Sequence, residues 1–359
     1  MDILLFTDSL GSGGAQRQLV GLAIMLKKKG FGIKVCTYHD IPFYKKELDE
    51  EDVSNIIIPN AGNSFKRIFA IHGFFRKEKP DYVIAYQETP SVLACLCKVI
   101  GCRYKLIVSE RNTTQTIGWR EKIRFRLYQR ANVIVPNSYT QGDFISAHFP
   151  KLINKITVIP NFVDLKKYIP TYHIRKKIPE VIIVATVFPP KNTKTFIHAI
   201  KFLVDKKIDF HFSWYGLTES TKENMNYMRE CTELIKDLDL EDKICLLPKT
   251  KRIIEKYRES DYFCLPSLYE GTPNVICEAM ACGLPVICSN ICDNSKYVQN
   301  NDNGFLFDPR NAEDIANKLL KALQLTEKKY SDFCSNSRKK AELYFCETTF
   351  INRYLTLIE

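Results

Sequence analysis

At 359 residues the chain is long enough for about two domains of ordinary size. Its 45% hydrophobic and 26% charged residues exclude disorder, collagen-like repeats and low-complexity scaffolds as the main content. The 52 basic and 41 acidic residues leave a net charge of +11, which points to an anionic partner and keeps nucleic acid, a membrane surface and phosphorylated substrates open.

Asp2-Ile3-Leu4-Leu5-Phe6 reads as a first β-strand with no basic leader or cleavage site, so a cytoplasmic location is expected. A glycine turn at 11–14, a helical pattern over 15–29 and a strand over 32–38 complete a βαβ opening. Short apolar runs follow at 82–85, 106–108 and 133–135, each flanked by helical or polar stretches, as a parallel, helix-covered sheet requires. Beyond Ile156-Thr157-Val158-Ile159-Pro160 the chain turns polar and basic, and a linker is expected over 165–179. A second series of strands then begins at 181–185 and continues at 210–214, 244–247, 262–265 and 285–288. The fold class is therefore α/β, with two doubly wound, Rossmann-like domains, 1–168 and 169–344. Ligands of such sheets bind beyond the carboxyl ends of the strands, so two facing sheets would frame a cleft. No apolar run approaches the roughly 18 to 20 residues of a membrane-spanning helix, and any membrane contact is expected to be peripheral.

Thirteen cysteines are present but no C-x-x-C pair, which removes zinc ribbons and thioredoxin chemistry and leaves cysteine as a small buried hydrophobe. The histidines at 39, 72, 148, 173, 198 and 211 show no paired metal spacing, so no metal site is expected. Charge is uneven: residues 1–165 hold 23 Lys plus Arg against 15 Asp plus Glu, a net of +8. Two stretches concentrate it. Over 65–79, Phe65, Ile68, Phe69, Phe74 and Phe75 interleave with Lys66, Arg67, Arg76, Lys77 and Lys79; over 119–130, Trp119, Ile123, Leu127 and Tyr128 stand among Lys122, Arg124, Arg126 and Arg130. Such helices suit an anionic lipid surface, and they equally suit ordinary amphipathic helices with one face in the core.

The turn Gly11-Ser12-Gly13-Gly14, between strand and helix, suits a phosphate held by backbone N–H groups. A dinucleotide fingerprint would need a third glycine where Gln16 stands, which argues against NAD even with Asp40 available for a ribose. The richest stretch is 266–285. Its buried strand ends at Leu265, a polar turn with Gly271 follows, and a helix starts near Asn274, so that Glu270 and Glu278 bracket one helix N-terminus. Paired carboxylates there suit the hydroxyls of a ribose and a sugar, and the first-turn N–H groups suit a diphosphate; helix capping by acidic residues is the alternative.

Glu270 and Glu278, with Pro266-Ser267 ahead and Glu278-Ala279-Met280-Ala281-Cys282-Gly283-Leu284-Pro285 behind, resemble the signature of retaining family-4 nucleotide-sugar glycosyltransferases. The similarity extends to Gly13-Gly14-Ala15-Gln16, Val135-Pro136-Asn137-Ser138, Val158-Ile159-Pro160-Asn161, Lys191-Asn192 and Asn303-Gly304-Phe305-Leu306-Phe307. The resemblance implies a GT-B architecture, an acceptor-binding first domain, a donor-binding second domain, and a last helix, about 345–359, crossing back to the first. It implies a catalytic set of Glu270, Lys191 and Arg111. On the donor side it implies Gly13, Gly14, Thr186, Gly271, Thr272, Pro273, Asn274, Val275 and Glu278; on the acceptor side, Gln16, Glu110, Asn112, Asn137 and Asn161. In this scheme Glu278 binds the ribose, Glu270 the transferred sugar, and Lys191 neutralises the leaving diphosphate. No D-x-D metal motif stands at a strand end, and Asp237-Leu238-Asp239 falls in a charged helical stretch, so cations and N–H groups must stabilise the leaving phosphate.

Three departures stand out. Thr186 occupies the place of an arginine found in many relatives, Ser109-Glu110-Arg111-Asn112 replaces a histidine, and Lys296 stands where relatives often have an acid. Arg111, with a pKa above about 12, is no general base. The implied activity is metal-independent, retaining transfer of a hexosyl or N-acetylhexosaminyl group from a nucleotide-diphosphate sugar, with a UDP-sugar favoured, to a glycan hydroxyl, lipid-linked, in surface polysaccharide or oligosaccharide assembly. The expected location is cytoplasmic or peripheral on the inner membrane face, the basic first domain facing anionic lipid, with no cofactor and no nucleic acid. A nucleotide-sugar epimerase and a non-catalytic basic binder of membrane or nucleic acid remain alternatives.

Overall fold

The computed structural model describes the chain apart from residues 62–63, 172–173, 219–220 and 359, and the side chains of 64 and 65; Phe65 of the first basic stretch and His173 therefore lie outside the described residues. Two compact units divide the chain, residues 1–161 with 348–359, and residues 162–347.

In the first unit the elements alternate: β1 (Asp2–Phe6), α1 (Gly14–Lys28), β2 (Gly32–Thr37), α2 (Lys45–Glu50), β3 (Ser54–Ile57), α3 (Ser64–Glu78), β4 (Tyr82–Tyr86), α4 (Glu88–Val99), β5 (Lys105–Glu110), α5 (Trp119–Leu127), β6 (Val133–Pro136) and α6 (Tyr139–His148). The strands lie in the order β3-β2-β1-β4-β5-β6, all parallel. Strands covered on both faces read as unbroken apolar runs, and β4 is buried at every position. Helices α3, α4 and α5 cover one face of this sheet, for Ile71, Phe75, Ala94, Cys95 and Phe125 share a core with Leu4, Phe6 and Val83. Ser138 caps α6 by accepting from the Gln141 N–H at 3.2 Å, satisfying one of the orphan donors of a helix start.

The second unit repeats the plan with β7 (Glu180–Val184), α7 (Thr193–Asp205), β8 (His211–Leu217), α8 (Lys222–Asp237), β9 (Ile244–Pro248), α9 (Ile253–Arg258), β10 (Tyr262–Leu265), α10 (Asn274–Ala281), β11 (Val286–Ser289), α11 (Asn294–Tyr297), β12 (Gly304–Phe307), α12 (Ala312–Leu323) and α13 (Glu327–Phe345). Its parallel order is β12-β11-β10-β7-β8-β9. The final helix, α14 (Glu347–Ile358), falls almost wholly in the first unit.

The stretch read as a linker is not a free connector. Val163 and Tyr168 are buried in the second unit's core, and Arg175 donates to the Tyr262 hydroxyl at 3.1 Å and the Leu325 carbonyl at 2.8 Å. The second unit accordingly begins earlier than the 168/169 boundary suggested by composition. The run 156–160 forms no named strand; Ile156 makes one bridge to Ile134 of β6.

Candidate functional site

In the second unit the chain runs from β7 outward to β8 on one side and leaves β10 on the other, so β7 and β10 flank the point where the strand order reverses. Open α/β sheets bind ligands there, because loops leaving neighbouring strands in opposite directions open a crevice. Lys191 follows β7 and Glu270 follows β10. The Lys191 ammonium donates to Glu270 Oε1 in a close ion pair, and Ser267 Oγ donates to the same oxygen at 2.7 Å. The loops themselves are joined: the Leu268 N–H donates to the Pro190 carbonyl at 2.9 Å. Asn192, in the left-handed region at φ 63°, ends the short turn carrying Lys191, and its side-chain amide donates to the Pro309 carbonyl at 2.6 Å.

Gly271, Thr272 and Pro273 lead into α10, whose first residues are Asn274 and Val275. Pro273 stands at the N-cap and offers no side-chain acceptor to the first turn, which also lacks an acidic residue. An anion suits such an end, where the helix dipole and N–H groups add. Glu278 lies one turn further, buried, and accepts from the Tyr257 hydroxyl at 3.1 Å. Burial and the neighbouring Glu278 hold the Tyr257 phenol well above its ordinary pKa, so it stays a donor. Half-buried Thr186 follows β7. Beside it a Cβ on Gly216 would lie 1.8 Å from the Ala185 carbonyl oxygen, so only glycine lets β8 approach here.

In the first unit the corresponding reversal falls between β1 and β4. Gly13 and Gly14 open α1 there, and the buried Gln16 donates from Nε2 to Asp8 Oδ1 at 3.1 Å. Gly13 has an ordinary extended φ of −81°, so its turn does not demand glycine by conformation. Asn112 is exposed, while Asn137 and Asn161 are buried.

Glu110, expected on the acceptor side, and Arg111, expected in the catalytic set, are both held by partners within the first unit. Glu110 is fully buried, accepts a hydrogen bond from the Tyr128 hydroxyl and lies 3.9 Å from Arg124, with burial raising its carboxyl above the usual range; it faces the helix layer. Arg111, on the opposite side of the strand end, is also buried. Its guanidinium donates to Ser109 Oγ at 2.7 Å, Asn161 Oδ1 at 3.0 Å, and the hydroxyls of Tyr86 and Tyr354 at 2.9 and 2.7 Å. It fastens α14 to the end of the sheet. Tyr86 and Tyr354 give no sequence signal, since their partner Arg111 lies far away along the chain, and Tyr128 and Arg124 stand out only as members of the basic stretch 119–130; Ser267 was visible only within the Pro266-Ser267 pair, and Tyr257 not at all.

Lys296 is exposed on α11, and nothing in the structure explains its sign. Asp237 and Asp239 are exposed at the end of α8. Among the described residues no group of His, Cys, Asp and Glu is arranged to hold a metal, and no helix is long and apolar enough to cross a membrane.

Residues 12–167 match the model of Glycosyltransferase Family 4 and residues 166–340 that of Glycosyl transferases group 1. The chain belongs to glycosyltransferase family 4. Among curated members, the UDP-Gal:alpha-D-GlcNAc-diphosphoundecaprenol alpha-1,3-galactosyltransferase of Escherichia coli is 33% identical over 180 residues, 46% of this chain and 45% of that enzyme. The match thus spans about half the length of that relative. An N-acetylgalactosamine-N,N'-diacetylbacillosaminyl-diphospho-undecaprenol 4-alpha-N-acetylgalactosaminyltransferase of Campylobacter jejuni is 23% identical over 80% of both chains. Among solved structures, Anabaena HepE in complex with UDP superposes with a TM-score of 0.86 over 100% of this chain and 99% of its own, at 20% identity. The family member described here shares its GT-B fold.

Proposed function

We propose that this family-4 protein moves a hexosyl or N-acetylhexosaminyl group from a UDP-sugar to a hydroxyl of a lipid-linked glycan, with retention of configuration and without a metal, at the inner face of a membrane. The observation that carries the reading is the Lys191–Glu270 pair at the β7/β10 reversal, set beside the start of α10 and the buried Glu278. The second unit takes the donor. Its diphosphate lies at the first turn of α10 and competes with Glu270 for the Lys191 ammonium, while Glu278, held by Tyr257, accepts from the ribose diol. Glu270, released in part from Lys191, accepts from hydroxyls of the transferred sugar.

The bond from the anomeric carbon to the phosphate oxygen breaks, and the acceptor hydroxyl bonds to that carbon on the same face. Its proton passes to the leaving phosphate oxygen, so no side-chain base is required, and Lys191 and the α10 N–H groups stabilise the negative charge. Gln16, Asn112 and Asn137 of the first unit are the acceptor-side residues in this reading. Support comes from relatives whose names specify diphosphoundecaprenol acceptors and from a neighbour bound to UDP.

Calorimetric titration with UDP, GDP and dTDP in EDTA, on wild type and Glu278→Ala, tests the donor pocket: UDP-selective binding lost in the variant is expected. Binding that requires metal, or that survives the substitution, overturns the assignment. Release of an epimerised nucleotide sugar without acceptor would replace transfer as the reaction.

A further inference from the structure

The net charge of the chain is concentrated in one segment. Residues 64–130 hold fourteen Lys and Arg against five Asp and Glu, so this segment carries +9 of the total +11. The cations of the first unit also differ in how they are paired. Lys27, Lys28, Lys34, Lys45 and Lys46, on α1, β2 and α2, each meet a carboxylate within 3.7 Å. On α5, Arg120, Lys122 and Arg126 have no carboxylate at ion-pair distance among the described residues; only Arg124, turned inward, is paired, with Glu88 and Glu110. Unpaired cations side by side repel one another, an arrangement that an anionic surface relieves.

Apolar groups stand among these cations. Trp119 is 68% exposed and Ile123, four residues on and thus on the same stripe, is 51% exposed, while Phe125 on the other side of α5 is buried in the core. The Arg120 guanidinium lies over the Trp119 indole, 5.3 Å from its centre. On α3, which covers the same face of the sheet, Phe69 is 72% exposed. What distinguishes α5 is the combination, since an interfacial helix presents indole, aliphatic and basic groups together.

We propose that the α5 face, with Trp119 and Ile123 entering the headgroup layer and Arg120, Lys122 and Arg126 on lipid phosphates, docks the first unit on an anionic bilayer. This deepens the lipid-linked-acceptor reading and rests on it only for its purpose. Vesicles without donor or acceptor read docking alone, so docking and transfer can fail independently.

The chain has two tryptophans, and the other, Trp214, is fully buried, so a change in emission on mixing with vesicles reports Trp119. With phosphatidylglycerol vesicles a blue shift is expected that phosphatidylcholine vesicles do not produce and that added salt reverses. Lys122→Gln with Arg126→Gln should weaken vesicle binding about 25-fold, roughly fivefold per cation. Trp119→Ser with Ile123→Ser should weaken it at least about tenfold. Both variants should keep wild-type UDP affinity, which shows that they are folded; should one fail that check, Trp119→Phe, with loss of the shift and retention of vesicle binding in sedimentation, takes its place. Equal response to both lipids, unchanged binding in both double variants, or a shift produced by single-stranded RNA and not by vesicles overturns the proposal.

Discussion

Lys191 and Glu270 are each other's neutralising partner while the site holds no donor, so their contributions to stability should not add. The Lys191 side chain is 27% and that of Glu270 13% exposed. Unit charges about 4 Å apart attract by about 4 kcal/mol at an effective dielectric of about 20, and desolvation of the largely withdrawn carboxylate offsets much of that. A coupling of about 1 to 2 kcal/mol is left. Lys191→Met strands a carboxylate with Ser267 as its remaining donor, and Glu270→Gln strands an ammonium; the double variant strands neither. Urea unfolding of wild type, both single variants and the double variant yields the coupling directly. The double variant should be more stable than the sum of the single losses implies, yet transfer should stay at least about 100-fold down in all three, since chemistry needs both groups. Additivity within about 0.5 kcal/mol would refute the pairing, and near-normal transfer by either single variant would refute its place in the reaction.

Other perturbations follow from the same structure. Tyr354→Phe removes an acceptor of a buried guanidinium hydrogen bond and should lower the stability of the first unit by about 2 kcal/mol, read by denaturant unfolding, while UDP affinity stays unchanged; an undisturbed midpoint would remove the clamp. Tyr257→Phe deletes the donor that holds Glu278, and a donor KM raised about tenfold with kcat within about twofold is expected; an unchanged KM would deny that it positions the carboxylate. His211 Nδ1 donates to Glu180 Oε2 at 2.8 Å, which raises its pKa above the ordinary 6.5 despite opposing desolvation. Its stabilising contribution is therefore complete below about pH 6.5 and is lost as pH climbs through the raised value. For this partly exposed pair the amplitude is under about 1 kcal/mol. Melting of wild type and His211→Asn from pH 5 to 9 should diverge at the acid end and converge at the alkaline end, and a constant offset would contradict it.

The buried parallel strands were legible because sheets covered on both faces write themselves as apolar runs. β3 was not: Ser54–Ile57 is a half-exposed edge strand whose first half, Ser54-Asn55, is polar, so that the run Ile56-Ile57-Ile58 overlaps it only at its end. β12, at Gly304–Phe307, appeared in the sequence only as part of a family motif. In the second unit, the order of the loops after β7 and β10 explains why Lys191 and Glu270 meet, though 79 residues separate them. Glu110 and Arg111 are legible as polar residues at a strand end, but local pattern cannot tell whether such side chains face solvent or partners. Apart from Ser109, those partners come from residues 86, 124, 128, 161 and 354, well separated along the chain.

The membership of α14 in the first unit also inverts the order in which the units can be finished during synthesis. Residues 1–161 leave the ribosome first, but Arg111 lacks its Tyr354 partner until the last residues follow. In between come the 186 residues of the second unit, about 10 to 40 s of translation. The unit begun first is completed last, and through that interval a charged guanidinium destined for burial has only part of its shell. A lesion that ends the chain before Tyr354 therefore falls on the N-terminal unit and spares the one whose sequence stands beside it.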